Sequence, residues 1–305
     1  MNLGIWVPFR AGGSLGPPES LPLGRAALAA RARGVTLVLG SPQQDGRFDG
    51  VVAEPGGWVS VAGAAVDGVY DRFPSGSRPE AFAAGLRALG EIPVANAPVI
   101  TALCRDKLQC QRALEGSVAM PEVCGEPGEF GAALADWGLA FLKPRHGSFG
   151  EGVVQVRPGD PLPTAGDFVL QRAIVPAGAH LALRVLVQRG EHGLVVRSPV
   201  ARRSLEDPVV NAARGAEVLP AADLELPLDA IAEVARETFR GLAARGLTLE
   251  LGVDVVLDDR RTPYVIEVNS RPRGRLRELA RKWPERFAAE HEAACVAPFL
   301  VLGRE

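Results

Sequence analysis

The chain has 305 residues, a formal net charge of −2 and 47% apolar residues, which predicts a globular protein of two or three domains with an ample core. The near-neutral charge argues against a nucleic-acid-binding domain built on a global positive field. Without an apolar stretch of the ~20 residues that cross a bilayer, a signal-peptide pattern or metal-type cysteine spacing, we expect a cytoplasmic protein with reduced cysteines and no membrane partner.

The first hundred residues alternate strand and helix signals, which is typical of an open α/β layer with parallel strands. Strands are predicted at 3–7, 35–39, 66–70 and 92–95, together with a hairpin of 51–53 and 58–61. Helices are predicted at 23–33 and at 79–89, each of which is followed by a glycine that would end it.

The remainder continues the alternation with more strands than helices. Strands are predicted at 139–142, 152–156, 168–171, 181–188, 193–200, 247–257 and 264–268. Helices are predicted at 105–114, 231–244 and 275–294. The strands at 247–257 and 264–268 form a predicted hairpin around the polar turn 258–262.

Lysine and asparagine are unusually rare in this chain. Among 34 basic residues only three are lysines, and there are four asparagines. A surface lysine is readily replaced by arginine, whereas a lysine that acts as a compact point charge in a tight site is not. The surviving residues are therefore candidates for specific roles: Lys107, Lys143, Lys282, Asn2, Asn96, Asn211 and Asn269.

The predicted hairpin near the C-terminus carries an oxygen-rich group. Equal distance from the turn places Asp254 opposite Glu267, within one or two positions. Alternation puts Glu267 and Asn269 on one face, and Ile266 and Val268 on the other. Two carboxylates and an amide oxygen suit Mg²⁺, which leaves coordination positions open for phosphate. The polar face of an ordinary half-buried hairpin has the same spacing, so spacing alone does not decide.

A second pattern combines lysine with glycine. An apolar strand ends at Lys143, and a loop containing Gly147, Gly150 and Gly152 follows. Glycines let backbone N–H groups approach an anion, and the lysine adds positive charge. The order differs from the Walker phosphate-binding motif. The loop alone is explained equally well by a hairpin turn, and the rarity of lysine favours phosphate. Lys107, on the first turn of a predicted helix, has a surface position as its simpler interpretation.

Several arginines lie on or after predicted strands. Arg184 and the pair Arg202-Arg203 suit phosphate or carboxylate, with a solvated strand edge as the alternative. Arg72 and the segment 10–14 follow strands, where open α/β sheets bind ligands, but structural loop positions are favoured. The arginines at 271, 273, 275 and 277 are predicted to begin a solvated helix. Attraction of an acidic peptide or a carboxylated small molecule is the other interpretation.

Taken in order, these motifs resemble the ATP-grasp superfamily of ATP-dependent ligases. The similar segments are 106–107 with Leu114 and 120–121, 141–152, 170–174, 183–184, 211–215, 252–254 and 266–272. Ribosomal-protein glutamate ligases and glutathione-synthetase-like enzymes are similar, as are endospore-coat-associated ATP-grasp proteins, which share a stretch like 69–74. The resemblance implies an α/β (α+β) ATP-grasp fold with an N-terminal Rossmann-like pre-ATP-grasp domain. The implied boundaries are 1–98, 99–170 for the central lid subdomain, and 171–305 for the C-terminal subdomain with the metal site.

The resemblance implies a role for each matching residue. The ATP phosphates would be contacted by Lys107 and Lys143, and the latter would also lie near the adenine. The lid over the phosphates would contain Gly147, Ser148, Phe149, Gly150 and Gly152. The adenine edge would be read by the backbone from Gln171 through Arg172 to Ile174. The γ-phosphate or acyl phosphate would be touched by Arg184, and phosphate or substrate carboxylate positioned by Asn211 and Arg214. One or two Mg²⁺ ions, with Mn²⁺ as an alternative, would be held by Asp254, Glu267 and Asn269.

The implied reaction joins a small-molecule carboxylate to an amine through an acyl phosphate, with release of ADP and phosphate. A peptide or protein substrate and a nucleotide-binding scaffold without ligase activity are the alternatives, and a homodimer is left open. Ala182 stands where close relatives often have aspartate, so the ribose contact is undetermined, with His180 as a substitute.

Overall fold

Three β-sheets flanked by helices position the residues of interest. The computed structural model describes residues 1–8, 15–74, 76–147, 150–175, 180–205, 208–210, 215–272 and 275–302. The predicted site residues Ser148, Phe149, Asn211 and Arg214 lie outside these ranges, as does the loop 10–14.

The first sheet has six strands in the order β4-β3-β2-β1-β5-β6. Its strands are β1 (Asn2–Trp6), β2 (Thr36–Pro42), β3 (Phe48–Glu54), β4 (Gly57–Ala64), β5 (Gly68–Asp71) and β6 (Val94–Ala95). Its helices are α1 (Pro22–Arg31) and α2 (Pro79–Leu89). The parallel pairing of β1 with β2 and β5, and of β5 with β6, confirms the predicted α/β layer. The predicted hairpin is also confirmed as β3 and β4.

The second sheet has four strands in the order β7-β10-β8-β9. Helices α3 (Pro98–Arg105) and α4 (Lys107–Leu114) precede it, and α5 (Phe130–Trp137) crosses it. Its strands are β7 (Val123–Cys124), β8 (Ala140–Pro144), β9 (Val154–Val156) and β10 (Phe168–Arg172). Helix α5 was not predicted, although Phe130 and Leu134 are fully buried and pack with Leu170 of β10.

The third sheet has the order β14-β13-β11-β15-β16, with β12 paired to β11. Its strands are β11 (His180–Gly190), β12 (Gly193–Val196), β13 (Val200–Ser204), β14 (Glu217–Pro220), β15 (Glu250–Leu257) and β16 (Pro263–Asn269). Helices α6 (Leu228–Ala243), α7 (Arg275–Lys282) and α8 (Pro284–Leu302) complete the chain. The prediction of one strand at 193–200 and one helix at 275–294 is wrong, because each divides in two, and Pro284 begins the second helix.

Helix α6 supports the third sheet from one side. Ile231, Ala235, Phe239 and Leu242 recur at helical spacing and are buried against Val253 and other strand residues. Burying each large apolar side chain contributes about 1.5–3 kcal/mol. The helix thus fixes β11 and β15, which carry the charged residues of the opposite face.

The C-terminal helix returns to the first sheet. Val296, Phe299 and Leu302 of α8 share a buried cluster with Leu3 and Ile5 of β1. The core of the first sheet is therefore completed by the last helix of the chain.

A buried asparagine connects the first and third sheets. Asn96 donates through Nδ2 to the carbonyl oxygens of Glu250 and Ser270, at 2.7 and 2.6 Å. Its Oδ1 accepts from the N–H of Leu249 at 2.7 Å. The amide therefore ties the end of β6 to the β15–β16 hairpin.

The four cysteines are free thiols. No helix in the part of the chain that the structure describes is long and apolar enough to span a bilayer.

Candidate functional site

Most of the predicted phosphate and metal residues that the structure describes line one cleft between the second and third sheets, whereas Arg184 and Asn269 do not line it. Residues from both sheets line it: Lys107, Phe141, Lys143, Gly147, Gly150, Gln155, Gln171, Arg172, Ile174, His180, Ala182, Arg202, Asp254, Ile266 and Glu267. Strands β8 and β10 form one wall, and β15 and β16 the other. Segments far apart in the sequence thus bring two lysines to two carboxylates.

The β15–β16 hairpin has the predicted register at its key position. Asp254 pairs directly with Glu267, and Gly252 pairs with Asn269. A bulge after Asp254 pairs Val255 with Val265, so that Ile266 is an extra residue on its strand. Ile266 therefore lines the cleft together with Glu267, and the prediction that it faces the opposite side is wrong.

Two arginines bind the carboxylate of Asp254. Arg184 donates to it through Nε and Nη2, both at 2.6 Å, and Arg202 donates at 2.7 Å. The side chains of Asp254 and Arg202 are only 4% and 7% exposed, so the ion pairs are shielded from water. Such short, charge-assisted bonds hold the carboxylate in a fixed orientation. Arg184 thus contacts a predicted metal ligand.

Glu267 is a buried carboxylate in a charged environment. Burial and the neighbouring charge of Asp254 raise the pKa of Glu267, and the cations of Lys107, Arg184 and Lys143 act in the opposite direction. A desolvated carboxylate with a raised pKa gains from any additional cation placed beside it. An additional cation beside Glu267 would therefore stabilise its charged form.

Lys107 begins α4 and points towards the glycine loop. Its Nζ donates to the carbonyl oxygens of Pro144 and Gly147 at 3.1 and 3.0 Å. Burial lowers the pKa of the Lys107 ammonium, and the charges of Glu267 and Asp106 partly offset this. The predicted surface alternative is wrong, because the side chain bridges the helix and the loop.

Asp106 and Arg145 lock the start of α4 to the same loop. Asp106 caps the helix by accepting from the N–H groups of Leu108 and Gln109, both at 3.1 Å. Arg145 donates to both carboxylate oxygens of Asp106, at 2.9 and 2.6 Å. Arg145 was missed as a site residue, and its nearness to Lys143 in the sequence was the only available signal.

Lys143 lies on β8 and faces β10. Its Nζ donates to Oε1 of Gln171, and it lies 5.8 Å from the centre of the Phe141 ring. Burial, opposed by the charges of Glu267 and Asp254, lowers the pKa of the Lys143 ammonium to about 8. The lysine is thus a partly desolvated cation at the cleft, held by a buried glutamine.

The segment from Arg172 to Ile174 lines the cleft, and hydrogen bonds hold its backbone in place. The Arg172 guanidinium binds Glu122 at 2.7 Å. The N–H of Arg172 donates to the Glu122 carbonyl and that of Ala173 to the Leu139 carbonyl. Ile174 then lines the cleft.

Two glycines of the loop, Gly150 and Gly152, have backbone geometry that favours glycine. Gly150 and Gly152 adopt φ values of 73° and 68°. A Cβ at Gly152 would lie 2.9 Å from Cγ of Pro144. Gly152 therefore packs tightly on Pro144 at the end of β8.

The family model of the ATP-grasp domain matches residues 104–275, more than half of the chain. The chain belongs to the ATP-grasp family. The match spans the cleft described above, including both lysines and the β15–β16 hairpin.

Solved structures of ATP-grasp proteins share the overall fold. D-alanyl-alanine synthetase A from Vibrio cholerae is 17% identical with a TM-score of 0.61, and 98% of each chain is covered. A RimK domain ATP-grasp protein from Sphaerobacter thermophilus is 19% identical with a TM-score of 0.56, covering 99% of this chain and 100% of that one. Carboxyaminoimidazole ribonucleotide synthase from Aspergillus clavatus, solved with ATP, is 17% identical with a TM-score of 0.54, covering 90% and 71%. No curated protein matches the chain.

The donor set of the ATP-grasp cleft fits a cation that is shared with a nucleotide. Among the described residues, no group of three or more His, Cys, Asp or Glu side chains could hold a metal ion on its own. Mg²⁺ characteristically uses one or two carboxylates and completes its shell with phosphate oxygens and water. Asp254 and Glu267 supply that number of carboxylates. Asn269 lies two residues beyond Glu267, and its buried Nδ2 has no hydrogen-bond partner.

Proposed function

We propose that this protein is an ATP-dependent carboxylate–amine ligase that forms an amide bond through an acyl phosphate and releases ADP and phosphate. The observation that carries the proposal is the convergence of Lys107 and Lys143 with Asp254 and Glu267 in one cleft. Two partly desolvated cations suit a polyphosphate, and two carboxylates suit its magnesium ion.

The nucleotide would lie along the second sheet. Its phosphates would replace the carbonyl oxygens of Pro144 and Gly147 as partners of the Lys107 ammonium. The adenine would lie against the segment from Gln171 to Ile174. Because the N–H groups of Arg172 and Ala173 are already bonded, the base edge would be read by Ile174 and by carbonyl groups. His180 lines the cleft beside Ala182, and we propose that it contacts the ribose.

The metal site would comprise Glu267, Asp254 and Asn269, with Mn²⁺ able to replace Mg²⁺. A bound divalent ion neutralises negative charge on the phosphate oxygens during transfer. Glu267 would gain an additional cation beside a carboxylate whose pKa is already raised. Asp254 would remain oriented by Arg184 and Arg202.

The reaction would proceed in two displacements. An oxygen of the substrate carboxylate attacks the γ-phosphorus of ATP, the bond to the β-phosphate oxygen breaks, and ADP leaves. The amine nitrogen then attacks the acyl carbon, phosphate leaves, and the nitrogen loses a proton. Arg184 would stabilise negative charge on the transferred group, since preorganised cations provide most of the acceleration in phosphoryl transfer.

We also propose that the three sheets correspond broadly to the segments 1–98, 99–170 and 171–305, with the second sheet acting as the lid. Strand β10 of the second sheet extends to Arg172, two residues past the boundary at 170. The return of α8 to the first sheet means that the last segment contributes to the core of the first. The four free thiols support a reducing, cytoplasmic location.

The proposal is tested by ADP release from Mg-ATP across a panel of carboxylate and amine pairs. We expect release that requires both an acid and an amine. Glu267→Gln should abolish it while the far-UV circular dichroism spectrum is unchanged. Glu217→Gln is the matched control, because that glutamate is half exposed on β14 and pairs with Arg203.

Near-normal ADP release by Glu267→Gln would contradict the metal assignment. Tight ATP binding without ADP release across the whole panel would contradict the ligase and favour a nucleotide-binding scaffold.

A further inference from the structure

A second cavity lies beside the ATP-grasp cleft, between the first and third sheets. Its volume is about 440 Å³, within the range of small-molecule sites. Arg184 lines this cavity, and its partner Asp254 lines the cleft. The Arg184–Asp254 ion pair therefore connects the linings of the two spaces, and a ligand beside Arg184 would lie near Asp254.

Arginine dominates the polar lining of the second cavity. Among the residues that the structure describes, Arg72, Arg184, Arg271 and Arg277 line it, and Glu250 is the only carboxylate in the lining. Arg271 pairs with Asp71, but Arg184 shares the carboxylate of Asp254 with Arg202. Glu267 also offsets part of the charge of Arg184, but four lining guanidiniums against one lining carboxylate leave net positive charge on the cavity wall. This charge favours an anionic ligand group beside Arg184.

The acidic side chain in the described part of the cavity lining already has hydrogen-bond partners. Glu250 is 5% exposed; its Oε1 accepts from the Tyr70 hydroxyl and its Oε2 from Nε2 of Gln188. Arg72 lies 3.9 Å from the same carboxylate. An ammonium group entering the cavity would therefore lose its hydration without gaining a dedicated anionic partner. Such a loss is strongly unfavourable.

The rest of the lining is largely apolar. Leu23 and Ala26 of α1, Leu276 of α7 and Phe299 of α8 are among its walls. Hydrocarbon surface on a ligand would be buried here, and each buried methylene group favours binding. The cavity thus combines a cationic end with an apolar body.

We propose that the second cavity binds the acid substrate of the ligase, and that this acid is a monocarboxylate with an apolar body and no free α-ammonium group. The inference rests on the proposed function and specifies its substrate. The carboxylate lies beside Arg184, and the hydrocarbon body extends towards Leu23, Leu276 and Phe299. An α-amino acid of the same size is rejected because its ammonium has no partner.

The test compares acids that differ only in the α-amino group. Isocaproate and hydrocinnamate are matched to L-leucine and L-phenylalanine, with Mg-ATP and hydroxylamine present. The acid oxygen takes the γ-phosphoryl group and releases ADP. The hydroxylamine nitrogen then displaces phosphate from the acyl carbon and loses a proton, which gives a hydroxamate measured by mass spectrometry. We expect kcat/KM to be higher for each acid than for its amino acid by about tenfold or more.

A variant that fills the cavity locates the binding site. Leu23→Trp should lower hydroxamate formation about tenfold or more, while calorimetry shows an unchanged affinity for a non-hydrolysable ATP analogue. Val59→Trp is the matched control, because Val59 lies on β4 and is 46% exposed. It should alter neither measurement.

Three results would overturn the inference while leaving nucleotide binding intact. These are an amino acid used as well as its matched acid, no hydroxamate from any of the four compounds, and full activity in Leu23→Trp. Absence of nucleotide binding, or of ADP release across the whole panel of carboxylate and amine pairs, would instead refute the proposed function, and the substrate assignment would fall with it.

Discussion

The lowered pKa of Lys143 predicts a specific pH dependence of nucleotide binding. With a pKa of about 8, the ammonium is about nine-tenths protonated at pH 7 and about one-tenth at pH 9. A hydrogen bond to a charged group contributes about 1.5–3 kcal/mol, so the protonated form binds ATP at least about tenfold more tightly. Affinity should therefore fall roughly five- to tenfold between pH 7 and pH 9.

The assay is calorimetric titration with a non-hydrolysable ATP analogue at constant ionic strength and saturating Mg²⁺. Lys143→Arg is the matched variant, because a guanidinium stays protonated throughout this range. Its affinity at pH 7 is free to differ, since only the slopes are compared. The affinity of Lys143→Arg should depend much less on pH than that of the wild type. The remaining pH dependence is assigned to Lys107, because burial also lowers the pKa of its ammonium. Equal slopes in the two proteins would refute the assignment of this titration to Lys143.

Three further predictions concern stability. Burial and Asp254 raise the pKa of Glu267, so its negative charge lowers stability at pH values above that pKa. Calorimetry without ligand at pH 7 should therefore give Glu267→Gln a melting temperature no lower than that of the wild type. A melting temperature several degrees lower would contradict this. Gly85→Ala places a Cβ 2.1 Å from Cζ2 of Trp6 and should lower the free energy of unfolding, measured in urea, by about 1–3 kcal/mol. The control Gly131→Ala, whose Cβ would have nothing within 4 Å, should leave this free energy equal or raise it. Equal losses in the two variants would show that packing on Trp6 is not the cause. Asn96→Ala leaves several buried backbone groups without partners and should lower the free energy of unfolding in the same assay by about 3 kcal/mol or more. Asn2→Ala, at an exposed position, should lower it by less than about 1 kcal/mol. A loss below about 1 kcal/mol for Asn96→Ala would contradict the bridging role.

The features that could be predicted from sequence are those with a local period or a rare residue. The hairpin around 258–262 fixed the opposition of Asp254 and Glu267, because antiparallel pairing counts from the turn. The rarity of lysine singled out Lys107 and Lys143, both of which line the cleft. Helix α2 has its predicted bounds, because proline begins it and glycine follows it.

Other features have no local signal. The bulge at Ile266 adds one residue to a strand and reverses an alternation that was otherwise regular. The N-cap residue of α5 is Glu129, whose side chain makes no capping hydrogen bond, so the helix lacks a recognisable start in the sequence.

Partners that lie far apart in the sequence were equally inaccessible. Arg184 and Asp254 are 70 residues apart, and only the pairing of β11 with β15 brings them together. The second cavity is lined by residues of α1, β5, β11, α7 and α8, so no local sequence motif predicts it. For Arg72, the structural loop interpretation that the sequence favoured overlooked its place in that lining.

The central claim is that the cleft between the second and third sheets binds Mg-ATP. The most direct test is calorimetric titration of the wild type and Glu267→Gln with a non-hydrolysable ATP analogue, each with and without Mg²⁺. We expect binding by the wild type that strengthens with Mg²⁺, and a much smaller magnesium effect in the variant. No binding by the wild type, or the same magnesium effect in both proteins, would contradict the account.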